Sequence, residues 1–298
     1  MILDPPVTEI VSLTRGEARC DILPHLGGCI GAWTSSGQQM LRQVRTAGLA
    51  ERGDPYATAG FPLVPFSNRI GEGRFIWNGK PVTLARNFPP EPHAIHGVGF
   101  ERPWQVLSRA NDSALLALLH RADMGWPWAF EARQRITLTD DALTLDLSAV
   151  NLEAQAVPLS FGHHPYIPRS GARLTFHAQG VWLPGQSGLP ADLVKPTGSL
   201  DFSRGVDVEQ ADVDHCFSGW SRAAYIAWPH RPLALEITAS SELSCAVVYS
   251  SRELDAFCFE PVAHVSNALN RLDGESAMPV VEPGGSFSAS IRFRAIKR

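Results

Sequence analysis

The segment ITLTDDALTLDLSAV, residues 136–150, constrains the fold more than any other stretch of the chain. Ile136 and Leu138 alternate with threonines, Asp140-Asp141 marks a turn, and Leu143, Leu145 and Leu147 resume the alternation. A period of two belongs to an extended strand with one buried face, so the segment reads as a β-hairpin. A sheet with one apolar face must bury it against a second layer. The same pattern returns in ARLTFHA (Leu174, Phe176), PLALEIT (Leu233, Leu235, Ile237) and SFSASIRFRAI (Phe287, Ala289, Ile291, Phe293, Ala295). ALLALLH, 114–120, is apolar throughout and reads equally as a buried strand or a short helix.

Helical signals are scarce. The best is QMLRQVRTAGLA, 39–50, which Gly48 and polar residues interrupt. The 23 prolines and 25 glycines fall at intervals suited to the loops of a sandwich. LPGQSGLPADLVKPTGSLDFSRG, 183–205, reads as a long ordered surface loop, a kind of segment that often carries function. With no repeat or linker in view, the expectation is an all-β protein: one large antiparallel β-sandwich domain spanning 1–298, with few short helices.

A formal net charge of −4 and the absence of any Lys/Arg run argue against nucleic acid and membrane surfaces as partners. No apolar run is long enough to span a bilayer, and MILDPPVTEI lacks the regions of a secretory signal. The five cysteines, Cys20, Cys29, Cys216, Cys245 and Cys258, are odd in number and scattered, with no C-x-x-C; they read as buried reduced thiols of a cytoplasmic protein.

Residues of catalytic type gather in a few stretches. In FPLVPFSNRIGEGRF, 61–75, Asn68-Arg69 opens a turn that can aim a guanidinium fork at hydroxyls, carboxylates or phosphates. NFPPEPHAIHGVGF, 87–100, is a proline-stiffened loop carrying His93 and His96. Its H-x-x-H spacing off a helix is a weak metal signal, and no metal site is expected. In VPLSFGHHPYI, 157–167, regular pleating puts Leu159, Phe161 and His163 on an apolar core face and Ser160, Gly162 and His164 on the other. His164 therefore faces a pocket, and His163 is a packed, hydrogen-bonded histidine. In AFCFEPVAHVSNALN, 256–270, Phe257 and Phe259 share one face while Cys258 and Glu260 share the other. Pro261 is expected to end this strand, leaving Glu260 at its terminus. ADVDHCF, 211–217, adds Asp214. Such a set suits acid–base chemistry on a polar ligand, and no G-x-S-x-G, P-loop or G-x-G-x-x-G accompanies it.

Six pieces in order, NRIGEGRFIWNGK, HAIHG, GWPWAFEARQRITL, HHPYI, VDHCF and FCFEPVAHVSNALN, resemble the aldose 1-epimerases, or galactose mutarotases, and cover most of the chain. The resemblance implies a galactose mutarotase-like supersandwich that interconverts the α and β anomers of a free hexose without a cofactor, as a monomer or homodimer. It implies Glu260 as general base, His164 as general acid, His96 as a second catalytic histidine, and Arg69, Asp214 and Asn68 as binders of sugar hydroxyls. The chain departs from many members at Tyr166-Ile167-Pro168 and at Ser266, where relatives often carry aspartate. On this reading Glu260 is ionised and His164 protonated, each drawing the other toward its charged form.

Rival readings are a hexose-6-phosphate epimerase using Arg69, Arg74, Lys80 or Arg86 on the phosphate, a non-catalytic sugar-binding protein, and a metal enzyme whose histidines converge. Trp126 and Trp128 are either sugar-stacking or core residues.

Overall fold

A computed structural model describes residues 10–43, 54–271 and 277–298. Two large sheets, of eleven and nine strands, lie face to face, and their named strands pair antiparallel throughout. Helical structure among the described residues is confined to six three-residue 3-10 turns. Among the described residues no helix is long and apolar enough to cross a membrane.

The alternating segments form strands as their pattern requires. Phe130–Leu138 pairs with Ala142–Asn151 across the Asp140-Asp141 turn, with Leu138 opposite Leu143. Ala142–Asn151 then pairs with the long strand Ser286–Lys297. The apolar run ALLALLH lies in the strand Ser113–His120, whose even-numbered residues are buried. Side chains of both sheets interdigitate in one core: Phe259 and Phe217 of the larger sheet meet Phe176 of the smaller, and Trp33 and His163 meet Phe293. Trp126 and Trp128 pack with Phe66 and Phe75 in the same core, which removes them as sugar-stacking residues.

Three expectations need correction. The helix expected over 39–50 does not form in its described part: Gln39 ends a two-residue strand paired to Cys29–Ser35, residues 40–43 carry no helix, and 44–50 lie outside the described residues. The loop expected over 183–205 contains the strand Pro190–Val194, paired with Gly180–Pro184, and two 3-10 turns. The strand Pro190–Val194 forms the sheet edge and is mostly exposed, so it lacks the apolar alternation that marks a strand in sequence. Pro261 does not end its strand, which runs Ala256–Val262 with Pro261 opposite Ala246. Proline removes one donor, and the flanking pairs Val247–Glu260 and Cys245–Val262 hold the ladder together across it.

Candidate active site

The outer face of the eleven-stranded sheet carries the site. Directly opposed residues of neighbouring strands share a face, so the register lays the side chains of this face in lateral rows. One row runs Asp214, Tyr249, Cys258, Tyr166. The next runs Cys216, Val247, Glu260, and across the adjoining strand His164 lies opposite Phe61. His164 and Glu260 thereby meet on adjacent central strands, with Nε2 3.3 Å from Oε1. Both are almost fully buried at the floor of a cleft of about 270 Å³. The His164 ring stacks on Phe61 at 4.5 Å and leans on Tyr166 at 4.9 Å, which fixes its orientation.

His163 takes the opposite face, as the pleat requires. Its ring is wholly buried, 6.1 Å from Phe293 of the other sheet, with Gly60 beside it; a Cβ at Gly60 would come within 2.7 Å of the imidazole. It is packed but not hydrogen-bonded: neither ring nitrogen has a partner among the described residues. The expected hydrogen bond is absent because that side of the strand faces the apolar space between the sheets.

The cleft wall comes from two loops that clamp one another. Arg69–Ile70 pairs with Ala94–Ile95. The Asn68 N–H donates to His96 Nδ1 at 3.2 Å, and the His96 N–H donates to the Asn68 carbonyl at 3.0 Å. Both residues have positive φ, +56° and +61°, a conformation that these reciprocal bonds hold in place. Because His96 Nδ1 accepts an amide proton, its own proton resides on Nε2. The ring stands edge-on to His164 at 5.1 Å. Burial, assisted by the Arg69 charge, lowers the His96 pKa to about 3, so it serves as a neutral donor.

Arg69 is held between two carboxylates, Nε to Glu91 at 3.2 Å and a terminal nitrogen to Asp214 at 3.2 Å. The SNALN piece secures the loop from behind. Ser266 Oγ accepts from the Arg69 N–H at 3.3 Å, the Asn267 N–H donates to the Arg69 carbonyl at 2.7 Å, and Asn267 Oδ1 accepts from the Gly71 N–H at 2.8 Å. NRIG and SNALN are thus two halves of one scaffold. His93 lies outside the cleft: Nδ1 accepts from the Glu72 N–H at 3.0 Å and Nε2 donates to the Ser187 carbonyl at 3.2 Å, tying loops together.

The protonation expected for the pair is reversed. Burial pushes His164 well below the ordinary imidazole value, helped by His96 and His163. Burial pushes Glu260 well above the ordinary carboxylate value, and Asp214 adds to this while Arg69 opposes it. Desolvating two charges at once costs more than their attraction returns at this depth, so burial favours a neutral carboxylic acid donating to a neutral imidazole. The proton count is the same as in the ion pair: one proton serves two groups.

Of the residues named from sequence, Glu260, His164, His96, Arg69, Asp214 and Asn68 all line this cleft. Arg74, Lys80 and Arg86 do not. Arg42, Tyr56, Phe88, Glu91, Tyr166 and Tyr249 also line it and escaped the sequence reading. Arg42 lies over the Tyr166 ring at 3.8 Å and bonds the carbonyls of Tyr56 and Thr58. It sits in a stretch that reads as helical, so nothing local pointed to a site. Glu91 was hidden among the prolines of NFPPEPH. A larger, shallower depression of about 490 Å³ on the outer face of the nine-stranded sheet, bordered by Arg133, Arg135, Asp146 and serines, has no buried acid–base pair.

An all-β sandwich with a buried histidine–carboxylate contact at the base of an open cleft lined by charged and aromatic side chains is an arrangement suited to proton transfer on a small polar ligand. The family model for aldose 1-epimerase matches residues 9–294, and the chain belongs to that family. The uncharacterised protein YphB of Escherichia coli K12 is 29% identical over 294 residues, covering 96% of this chain and 98% of YphB. YihR, uncharacterised and from the same organism, is 24% identical over 225 residues, covering 72% and 73%. A crystal structure of a candidate aldose 1-epimerase from Escherichia coli K12 superposes with a TM-score of 0.88 at 28% identity, covering 97% of this chain and 99% of that one. A galactose mutarotase-like protein from Clostridium acetobutylicum, at 21% identity and a TM-score of 0.86 over 96% and 95% of the chains, shares the fold. The architecture is that of the galactose mutarotase-like sandwiches, and family membership supports an epimerase-type isomerase.

Proposed function

We propose that this protein is an aldose 1-epimerase that interconverts the α and β anomers of a free hexose, with Glu260 and His164 as the acid–base pair and no cofactor. The observation that carries the reading is the 3.3 Å contact between His164 Nε2 and Glu260 Oε1 at the floor of the cleft. A hemiacetal presents two oxygens on one carbon, the anomeric hydroxyl and the ring oxygen. Two proton-transfer groups side by side fit two such oxygens.

The pair holds one proton, and anomerisation moves one proton in each direction. With Glu260 ionised and His164 protonated, Glu260 takes the proton of the anomeric hydroxyl while His164 gives one to the ring oxygen. The C1–ring-oxygen bond breaks and the aldehyde forms. Rotation about the C1–C2 bond presents the other carbonyl face, and the two groups in reversed roles close the ring. A bound sugar places hydroxyls against the pair, and this polar surrounding draws it from the neutral form toward the charged form. Neutral His96, with its proton on Nε2, is suited to donate to the ring or carbonyl oxygen and to steady charge there. Arg69, Asp214 and Asn68 are read as binders of the remaining hydroxyls.

The free-sugar reading is favoured over the phosphorylated one by the charge arrangement. Arg69 is already matched by Glu91 and Asp214, and the other cations named for a phosphate lie outside the cleft. Polarimetry on the α anomers of glucose and galactose, beside their 6-phosphates, tests the assignment. Faster equilibration of the free sugars is expected. The reading fails if the Glu260→Gln variant, shown by calorimetry still to bind sugar, equilibrates α-glucose and α-galactose as fast as the unmodified protein.

A further inference from the structure

Cys258 has no part in that reaction, yet its thiol lies beside the pair that carries it. It precedes Glu260 by two residues on one strand, so the two side chains emerge on the same face, and its thiol is wholly buried. One donor atom each from His164, Cys258 and Glu260 lies within 4.8 Å of the others. His164 Nδ1 and Glu260 Oε2 are buried without a hydrogen-bond partner, so donor capacity in this cluster is left unspent. We propose that His164, Cys258 and Glu260 form a binding site for one thiophilic divalent cation, Zn²⁺ or Cd²⁺, whose occupancy arrests the acid–base pair.

The donor set selects the ion. A thiolate, an imidazole and one carboxylate are the mixed sulfur, nitrogen and oxygen ligands that Zn²⁺ accepts in tetrahedral sites. Ca²⁺ and Mg²⁺ want six or more oxygens, and one carboxylate beside a thiol does not supply them. The 3.3 Å between His164 and Glu260 suits two ligands on one small ion, and the thiol needs to move only slightly to join them. Charge also balances. A thiolate and a carboxylate carry two negative charges, so the complex with a dication is neutral and tolerates the buried position. Binding releases two protons to solvent, one from the thiol and one from the His164–Glu260 pair. The three ligands come from two adjacent central strands, Gly162–Pro168 and Ala256–Val262. An ion there occupies the lone pairs that the reaction needs, so its effect is inhibition.

Cadmium binding tests the site without relying on the proposed activity. Titrating the full chain with CdCl₂ should produce the thiolate-to-Cd²⁺ ultraviolet band, saturating at one ion per chain. The Cys258→Ala variant keeps Cys20, Cys29, Cys216 and Cys245, so the difference between the two titrations assigns the band to Cys258. ZnCl₂ affinity by calorimetry should fall at least tenfold in Cys258→Ala and in Glu260→Gln, with melting temperatures confirming that both are folded. In mutarotation assays Cys258→Ala should run at the unmodified rate and resist Zn²⁺ concentrations that stop the unmodified protein. Absence of Cd²⁺ binding overturns the proposal, as does equal binding or equal Zn²⁺ inhibition in Cys258→Ala. A chain that shows no mutarotation but keeps the Cys258-dependent band loses the enzymatic reading and retains the site.

Discussion

His163 and His164 are consecutive, both are buried, and burial lowers the pKa of both. They nevertheless belong to different regions. His163 faces the space between the sheets, against Phe293, where no polar group reaches its nitrogens. His164 faces the cleft, with Glu260 at 3.3 Å and His96 edge-on beside it. Desolvation is common to the two; what makes one a candidate for chemistry is a partner that shares its proton and an opening through which a ligand arrives. A depressed pKa alone does not mark a functional histidine.

The comparison breaks most sharply on the cleft side. Glu260→Gln and His164→Asn should each lower kcat by roughly 10²–10⁴-fold, about 3–5 kcal/mol of transition-state stabilisation, while sugar affinity stays near the original. Single-turnover polarimetry beside calorimetric binding separates the two quantities. An equal loss from His163→Ala would erase the distinction between the faces.

On the interior side the effect should be thermodynamic. His163→Ala leaves a cavity between the sheets and should cost about 2–4 kcal/mol of stability, by analogy with other large-to-small core changes, with kcat retained in the folded fraction. Chemical denaturation read against activity per folded molecule checks this.

Pleating made this division readable in advance, since strict alternation through 157–167 and 256–260 gave each side chain its face. The features that escaped sequence are of other kinds. Arg42 and Glu91 enter the cleft through loops whose path depends on distant partners, and no period encodes that. The neutral form of the His164–Glu260 pair follows from depth of burial, a property of the assembled sandwich. The strand Pro190–Val194 was missed because an exposed edge strand has no buried face to report itself.

Acid sensitivity sharpens the contrast further. Burial lowers His163 and His96 to about 3 and His264 to about 4, from 6.5. The unfolded chain therefore binds more protons than the folded one once pH drops below about 6.5, and stability falls with falling pH from there to about 4. Three such groups together give a slope of up to about 4 kcal/mol per pH unit. Replacing His163 with a neutral residue should shallow that slope by one proton, visible in unfolding free energies measured from pH 7 to 4. An unchanged slope would mean that His163 is not held neutral by the interior.

The smallest effect concerns the cleft pair and the charge across from it. Activity requires the one-proton form of His164 and Glu260. Burial lowers the pH at which a second proton joins His164 and raises the pH at which Glu260 gives up its own, so kcat/KM should fall on the acid side as His164 takes that proton and on the alkaline side as Glu260 loses its own. Asp214 is one of the causes that hold Glu260 high, and Arg69 opposes it. Removing the Asp214 charge should therefore move the alkaline limb of the Asp214→Asn variant to lower pH and leave the acid limb, which belongs to His164, nearly in place. KM would rise in the same variant if Asp214 binds a hydroxyl, but a binding role alone cannot displace one limb of the kcat/KM profile. A limb that stays fixed while KM rises would assign Asp214 to the sugar and leave burial as what holds the Glu260 proton.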